Sequence, residues 1–368
     1  MLEEKELAEL RERDFFSKES NFKKNEQIKS KLIYGDLSSK VPFVTLIIPT
    51  YKREETLKQT IKSILLQEDF DDYEILIVDN EDVFDRVTKT EEIIKSFNSE
   101  KIIYYRNEKN IGMYGNWNRC IELSRSKWIC MVHDDDALAK NHLSTMTNII
   151  KKNKNIDYLA CTHNHIDERQ LGAVDLNYYS EKVNINKKQI KYKGFRDFNL
   201  GFNAMFLGAI FNRDKAIEIG GFVADRAWVE DYLFVAKYAY YFNLYKLEVP
   251  LYIYRWADNQ SLKSNIWEDQ LVYEYYLFRY IASKRTILKG TYTILSKYIT
   301  LNRMNSYIRG DGFFKTKCNI NKNNVYKMCN MSNPNINLFL LIISKGIRRM
   351  DYFIRDLYYF VIKNKKIL

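Results

Sequence analysis

A regular alternation of apolar strand-like segments with helix-like segments dominates the first half of the chain. The strand-like segments are rich in β-branched residues, whereas the helix-like segments repeat their apolar residues at helical spacing. In order they are strand 44–50, helix 54–67, strand 73–80, helix 85–97, strand 101–107, helix 114–125 and strand 127–133. This order predicts right-handed βαβ crossovers and a mostly parallel α/β sheet that helices cover on both faces.

The first, second and fourth predicted strands end in polar residues. These are Pro49, Thr50 and Tyr51, then Asp79 and Asn80, and finally Asp134, Asp135 and Asp136. Ligands of such sheets bind outside the carboxyl ends of the strands, so we expect these groups to meet at one edge. The three consecutive carboxylates leave two interpretations open: a solvated turn, where Asp is common, or a divalent cation held by oxygen ligands.

Composition and missing motifs narrow the function. The net charge of +11 favours a polyanionic partner such as nucleic acid, anionic lipid or a phosphorylated ligand. Neither G-x-G-x-x-G nor the P-loop motif is present, which argues against a classical dinucleotide fold and a P-loop enzyme. Five cysteines without a C-x-x-C pair indicate reduced thiols in a cytosolic protein. The charged start and the lack of a long apolar run predict neither a signal peptide nor a membrane-spanning helix.

Four segments carry a family resemblance. "VTLIIPTYKREETLKQTIKSILLQ", "YEILIVDN", "NIGMYGNWN" and "MVHDDDAL" resemble, in order and spacing, the nucleotide-sugar half of family 2 glycosyltransferases with the GT-A fold. "GAIFNRDKAIEIGGF", "WVEDYLFVAKY" and "YIYRWADNQSL" resemble the acceptor half more weakly. The resemblance implies a Rossmann-like GT-A domain over 41–262, with a nucleotide-sugar half (41–145) and an acceptor half (146–262). We expect an N-terminal helical extension over 1–40 and a C-terminal helical, basic-aromatic region over 263–368.

The resemblance also implies a set of donor-binding residues. Pro49, Thr50 and Tyr51 would lie against the base and ribose of a nucleoside diphosphate sugar, expected to be a UDP-sugar, and Asp79 would accept hydrogen bonds from them. Lys52 stands where the family has Asn, and receives no role. Further donor contacts are expected from Asn110, Gly112 and Arg255, and from Arg106 if it reaches the diphosphate rather than lying at the surface.

The family's D-x-D metal motif falls on the Asp run. The register implies a main metal contact at Asp135, with Asp134 beside it at the sugar or ribose and Asp136 behind them. The expected ion is Mn²⁺ or Mg²⁺. His133 replaces the usual first Asp, and because imidazole suits softer metals we expect it to pack or hydrogen-bond instead. Relatives often carry a third contact where this chain has Ala257, which leaves that contact open.

Transfer needs a carboxylate that deprotonates the acceptor hydroxyl. The pair in "WVEDY" resembles the family's E-D pair, which implies Asp231 as the base of an inverting transfer and Glu230 as a residue that holds sugar hydroxyls or orients the loop. The alternative is that both acids only begin a helix, where negative charge is favoured. Trp228 could stack on a sugar or belong to the core.

The C-terminal region ends in a basic amphipathic segment over 345–366. Such a helix lies on a membrane surface, docks on its own domain or forms a homo-oligomer contact. A lipid-linked glycan acceptor would favour a peripheral membrane position at the inner face of the cell membrane, and otherwise we expect a cytoplasmic protein.

The leading hypothesis is a metal-dependent inverting glycosyltransferase of bacterial surface-polysaccharide synthesis, with a glycan or lipid-linked glycan as acceptor. One rival is a nucleotidyltransferase, whose sheet and metal site are similar but which releases pyrophosphate. The other is a non-enzymatic nucleic-acid-binding protein. It is not expected, because no recognised nucleic-acid motif accompanies the positive charge.

Overall fold

A computed structural model describes residues 3–184, 190–193, 206–223, 230–257, 267–284, 289–311 and 317–331. Trp228 and the basic segment predicted over 345–366 lie outside the described residues. Within the described part of the chain, none of the helices is both long enough and apolar enough to cross a bilayer.

One ten-stranded sheet forms the centre of the described residues. Its strands are β1 (Ser30–Tyr34), β2 (Val44–Thr50), β3 (Tyr73–Asp79), β4 (Ile102–Asn107), β5 (Trp128–Met131), β6 (Ala137–Leu138), β7 (Tyr158–Asp167), β8 (Ile190–Lys193), β9 (Ile210–Asn212) and β10 (Leu244–Trp256). Their order is β1-β4-β3-β2-β5-β9-β7-β10-β6, with β8 beside β10. The central strands β4, β3, β2 and β5 pair in parallel, as do β7 and β10. The predicted α/β sheet of mostly parallel strands is confirmed, and antiparallel strands extend it on both sides.

Helices flank this sheet. Those of the described residues are α1 (Glu4–Glu12), α2 (Glu54–Leu65), α3 (Lys89–Ser96), α4 (Gly112–Leu123), α5 (His142–Lys152), α6 (Glu168–Leu171), α7 (Arg213–Glu218), α8 (Glu230–Tyr241), α9 (Trp267–Ser283), α10 (Lys289–Arg309) and α11 (Lys322–Met328). α3 begins later than the sequence pattern predicted, because the Thr88 hydroxyl accepts a hydrogen bond from the Glu91 amide and caps the helix there.

The continuous apolar strands have a structural reason. Every residue of β2 and β3 is buried, so both faces of the sheet are covered at this point. α4 packs against both strands. The polar ends of β2 and β3 therefore emerge together at the carboxyl edge of the sheet.

The Asp run lies in a tight turn at that same edge. β5 ends at Met131, and the Asp136 amide donates to the His133 carbonyl at 3.3 Å. β6 follows at once and pairs antiparallel with β10. The turn is thereby clamped between β5, next to β2, and the second half of the sheet.

The segments before and after the central sheet also pack onto it. β1 pairs antiparallel with β4 at one edge, a strand that the sequence pattern did not indicate. α1 contacts α9, and α9 contacts α10 and α11. Phe15 and Phe16, which follow α1, are both buried in the main hydrophobic core. The N-terminal and C-terminal segments therefore meet each other on the surface of the sheet domain.

Candidate active site

A cavity of about 470 Å³ lies at the carboxyl edge of β2, β3 and β5. Its walls come from the strand ends, the start of α4, the Asp turn and the start of α8. The lining residues are Pro49, Thr50, Tyr51, Arg53, Asn80, Asn110, Gly112, Met113, Tyr114, Asn116, Trp117, His133, Asp134, Asp135, Leu207, Asp231 and Tyr254. Eight residues singled out from the sequence as donor, metal or catalytic residues are among them: Pro49, Thr50, Tyr51, Asn110, Gly112, Asp134, Asp135 and Asp231.

The three aspartates of the turn have different surroundings. Asp134 accepts a hydrogen bond from the Thr50 hydroxyl at 2.7 Å. Asp135 forms an ion pair with Arg53, whose Nη1 lies 2.6 Å from Oδ2. Asp136 is fully buried, accepts hydrogen bonds from the Tyr252 hydroxyl and the Arg255 amide, and does not line the cavity. Two carboxylates therefore face the cavity and the third is held behind them.

The turn concentrates negative charge away from water. Burial, followed by the charge of Asp135, raises the pKa of Asp134 to about 7. Burial likewise raises the pKa of Asp136 well above its usual value, again with Asp135 as the second cause. Such shifts mean that the fully ionised cluster lacks compensating positive charge. A divalent cation would supply it.

His133 completes a donor set for such an ion. His133, Asp135 and Asp136 each offer one ligand atom, and these atoms lie within 4.8 Å of one another. The His133 ring packs against Trp117, and its buried Nε2 has no hydrogen-bond partner among the described residues. Burial lowers the His133 pKa to about 4, so the ring is neutral and able to ligate. The residues therefore fit a divalent metal ion, and they include a histidine that the sequence reasoning expected to pack or hydrogen-bond.

An amide network shapes the wall opposite the Asp turn. The Asn80 side chain donates to the Asn110 side chain and the Gly112 carbonyl, both at 3.0 Å, and accepts from the Ile111 amide and the Asn107 side chain. Asn80 thus fixes the loop that leads into α4. Gly112 has a φ of +74°, which favours glycine, and a Cβ there would meet no atom within 4 Å. The Gly112 backbone is accordingly exposed to whatever enters the cavity.

Asp79 and Arg106 lie beneath this wall and not on it. Asp79 is fully buried and accepts hydrogen bonds from the Tyr104 hydroxyl and the Glu81 amide, each at 2.8 Å. Arg106 is also buried and pairs with Glu91 at 2.8 Å. Burial raises the pKa of Asp79 to about 6. Both residues shape the loop after β3 from inside, and neither lines the cavity.

Arg255 lies behind the Asp turn. Its backbone amide holds Asp136, while its guanidinium group contacts Gln59 at 2.7 Å and Glu168 at 3.3 Å. This side chain is buried and does not line the cavity, although the sequence reasoning expected a phosphate contact. In the structure it positions the turn.

The first two residues of α8 point in different directions. Asp231 lines the cavity, and burial raises its pKa to about 6. Glu230 is 1% exposed and accepts a hydrogen bond from the Tyr273 hydroxyl at 2.6 Å. The structure therefore places Asp231, but not Glu230, where it can meet a bound substrate.

The central part of the chain matches a known protein family. The model of the family described as "Glycosyl transferase family 2" matches residues 45–220. The matched segment makes up just under half of the chain and resembles glycosyl transferase family 2. The matched segment includes both cavity-lining aspartates of the turn but ends before Asp231. The glycosyltransferase resemblance seen in the sequence is thus confirmed.

Several glycosyltransferases are similar to this chain. An uncharacterised glycosyltransferase of Methanocaldococcus jannaschii, MJ1057, is 30% identical over 159 residues, which is 42% of this chain and 52% of the relative. The abequosyltransferase RfbV of Salmonella typhimurium is 36% identical over 107 residues, 28% of this chain and 31% of RfbV. The match therefore spans about half or less of these curated relatives.

A solved structure supports the same fold. Staphylococcus aureus TarS (residues 1–349), in complex with UDP-GlcNAc, aligns with a TM-score of 0.52 at 16% identity and covers 72% of each chain. At this identity the likeness concerns the fold of the glycosyltransferase domain.

The ion pair of Arg53 escaped the sequence reasoning, which also set His133 aside as a metal ligand and gave Asn80 no role beyond its place at a strand end. Arg53 follows the strand-end motif by only two residues, which was the available signal. Its partner Asp135 is far along the chain, so the pair is visible only in the fold.

Proposed function

We propose that this family 2 glycosyltransferase transfers a sugar from a nucleoside diphosphate donor, most simply a UDP-sugar, to a hydroxyl of a glycan or lipid-linked glycan, with inversion at the anomeric carbon. The observation that carries the proposal is the position of Asp231. It lines the same cavity as Asp134 and Asp135, although it lies in a different half of the domain. One cavity thus offers an acidic cluster for the donor and a separate carboxylate for the acceptor.

The donor would bind along the strand ends and the start of α4. Thr50, Tyr51 and the loop from Asn110 to Gly112 form this wall, with the exposed Gly112 backbone allowing close approach. Asp79 and Arg106 would act on the nucleotide indirectly, by holding the loop after β3 in place. TarS, which shares this fold, has been solved in complex with UDP-GlcNAc, and this supports a UDP-sugar as the first donor to try.

Asp135, His133 and Asp136 would hold a divalent ion, Mn²⁺ or Mg²⁺, with Asp134 beside it. When bound, the ion offsets the charge that develops on the leaving nucleoside diphosphate. The chain's own contribution is to keep the carboxylates in place: Thr50 orients Asp134, while Tyr252 and the Arg255 amide hold Asp136.

Asp231 would act as the general base. As the acceptor oxygen forms its bond to the anomeric carbon, the hydroxyl proton passes to Asp231 and the bond from that carbon to the diphosphate oxygen breaks. Its pKa of about 6 suits this role, because the group is ionised at neutral pH yet more basic than an ordinary Asp. Burial supplies the shift.

Product analysis tests the proposal. The full chain is incubated with Mn²⁺ and a panel of nucleotide sugars, and products are followed by mass spectrometry. Release of a nucleoside diphosphate with transfer or hydrolysis of the sugar supports the proposal. Release of pyrophosphate would identify a nucleotidyltransferase instead. Oligonucleotide binding that survives replacement of Asp134 and Asp135, with no sugar turnover, would indicate a nucleic-acid-binding protein.

We further propose peripheral binding to an anionic membrane through the basic segment over 345–366, on the cytoplasmic side where nucleotide sugars are available. The support is its sequence: basic residues surround an apolar stripe at helical spacing. Removal of the residues after about 337 should reduce sedimentation with anionic liposomes. Equal sedimentation of the truncated and intact chains would exclude the segment as the anchor.

A further inference from the structure

The N-terminal segment contacts Glu230, the residue next to the candidate base Asp231. Arg13, directly after α1, places Nη1 and Nη2 at 3.4 and 3.5 Å from Oε1 of Glu230, the residue before Asp231. The same Nη1 lies 2.5 Å from the Tyr273 hydroxyl, which itself donates to Glu230 at 2.6 Å. Glu230 thus receives one guanidinium from before the sheet domain and one hydroxyl from α9 after it.

This three-residue contact is enclosed. Glu230 is 1% exposed and Tyr273 is 2% exposed, while the Arg13 side chain is 15% exposed. The Arg13 guanidinium also lies over the rings of Phe15 and Tyr273, with centroids at 5.0 and 5.4 Å. A charge-assisted contact in such surroundings is screened little by water or salt.

The segment that carries Arg13 is itself anchored. Phe15 and Phe16 are buried, and the Asn21 amide donates to the Gly220 carbonyl at 3.1 Å. Further on, Arg119 of α4 donates to the carbonyls of Asn25 and Ile28. The chain directly after Arg13 is therefore fixed to the sheet domain, and the position of Arg13 relative to Glu230 is a property of the fold.

Glu230 and Asp231 share the first turn of α8, so fixing one fixes the other. Glu230 faces the N-terminal segment while Asp231 faces the cavity. Without the Arg13 guanidinium, Glu230 would be a buried carboxylate with no positive charge beside it, which is strongly disfavoured. The structure around Glu230 would then rearrange, or Glu230 would take up a proton. Either response would move Asp231 or change the electric field around it.

We infer that Arg13, together with Tyr273, is a positioning residue for the catalytic base, so that the segments flanking the sheet domain complete the transfer site from behind. The inference rests on the proposed function, in which Asp231 is the base. It means that residues 45–220, which match the family model, do not contain everything that transfer requires.

The test compares Arg13→Met, Arg13→Lys and Tyr273→Phe in the full chain, with Arg11→Met as matched control. Arg11 lies two residues earlier, in the last turn of α1, and contacts Glu4 and Tyr276 rather than Glu230. Donor affinity is measured with UDP by calorimetry, and kcat with the donor that the wild-type chain turns over. Arg13→Met should lower kcat roughly ten- to hundredfold with UDP affinity unchanged, because displacement of a catalytic group costs that much. Arg13→Lys should recover part of the loss, and Tyr273→Phe should show a smaller one.

The pH profile separates positioning from general support of the fold. The groups that face Asp231 or its neighbours are Glu230, Glu274, Tyr114, Tyr158, Arg13, Lys237 and Arg303. Removing the Arg13 charge leaves the negative charge of Glu230 less compensated, which should raise the pKa of the neighbouring Asp231. The pH at which kcat reaches half its maximum should therefore be higher in Arg13→Met and return toward the wild-type value in Arg13→Lys.

Two results would overturn the inference. In the first, Arg13→Met has the same kcat and pH profile as Arg11→Met. In the second, Arg13→Met loses UDP affinity and transfer to the same extent. If Arg13→Met does not fold, Arg13→Lys and Tyr273→Phe decide by the same readouts. Asp231→Asn runs in parallel. If it stays active, the proposed base is wrong; if it is inactive while Arg13→Met behaves as the control, only the positioning role fails.

Discussion

Arg53 and Asp135 both line the cavity and form an ion pair, with 2.6 Å between Nη1 and Oδ2. Asp135 is the carboxylate that offers a ligand atom together with His133 and Asp136. The guanidinium therefore neutralises a residue that a divalent ion would also use. A metal ion at this site must share Asp135 with Arg53 or displace Arg53 from it. The competition can be measured as a change in metal affinity when Arg53 is replaced.

Metal removal should abolish transfer. Treatment with EDTA is expected to stop sugar turnover, and Mn²⁺ or Mg²⁺ should restore it, because the buried carboxylates need a compensating cation beside an anionic donor. Asp135→Asn should lose turnover while the protein stays folded by circular dichroism. Full turnover in a metal-stripped sample would contradict this expectation.

Loss of the Arg53 charge should strengthen metal binding in the absence of donor. Arg53→Met is expected to bind Mn²⁺ roughly two- to fivefold more tightly, the scale of a partly exposed ion pair, as followed by electron paramagnetic resonance. Lys58→Met, which removes an exposed charge from the same region, is the control. Equal Mn²⁺ affinity in the two variants would show that Arg53 does not compete with the ion.

Asn80→Ala should weaken UDP binding by about tenfold or more, because the Asn110 loop loses a side chain that hydrogen-bonds four polar groups, two of them buried. Calorimetry with UDP measures the effect. Leu32→Ala, on the exposed edge strand β1, is a control that leaves this loop intact. Unchanged UDP affinity in Asn80→Ala would place the nucleotide elsewhere in the cavity.

Transfer should rise with pH through about pH 6. Asp231 has a pKa raised to about 6, and a general base works only when deprotonated, so activity is low below this value and level above it. The measurement is kcat/KM between pH 5 and 8 at saturating Mn²⁺, which keeps the Asp turn ionised. A flat profile across this range would argue against Asp231 as the titrating base.

The sequence predicted the central sheet and the Asp run because both leave local signals. β2 and β3 are continuous apolar runs, and the Asp turn follows β5 directly. It could not show that Asp79 turns inward, because a polar residue at a strand end has the same pattern whether its partner is a ligand or, as here, Tyr104.

Contacts between residues far apart in the chain could not be predicted from the sequence either. Arg13 and Glu230 are 217 residues apart, and the tertiary packing of the N-terminal segment brings them together. Arg53 and Asp135 likewise belong to different βα units. Such contacts depend on the tertiary fold, so a local pattern carries no record of them.

Asp231→Asn tests the central claim most directly, since the claim is that one cavity holds the donor at the Asp turn and the base at α8. The substitution keeps the size of the side chain and removes its basicity. UDP affinity, measured by calorimetry, should remain that of the wild-type chain, while sugar transfer should fall by roughly a hundredfold or more. Transfer at the normal rate in Asp231→Asn would contradict the account.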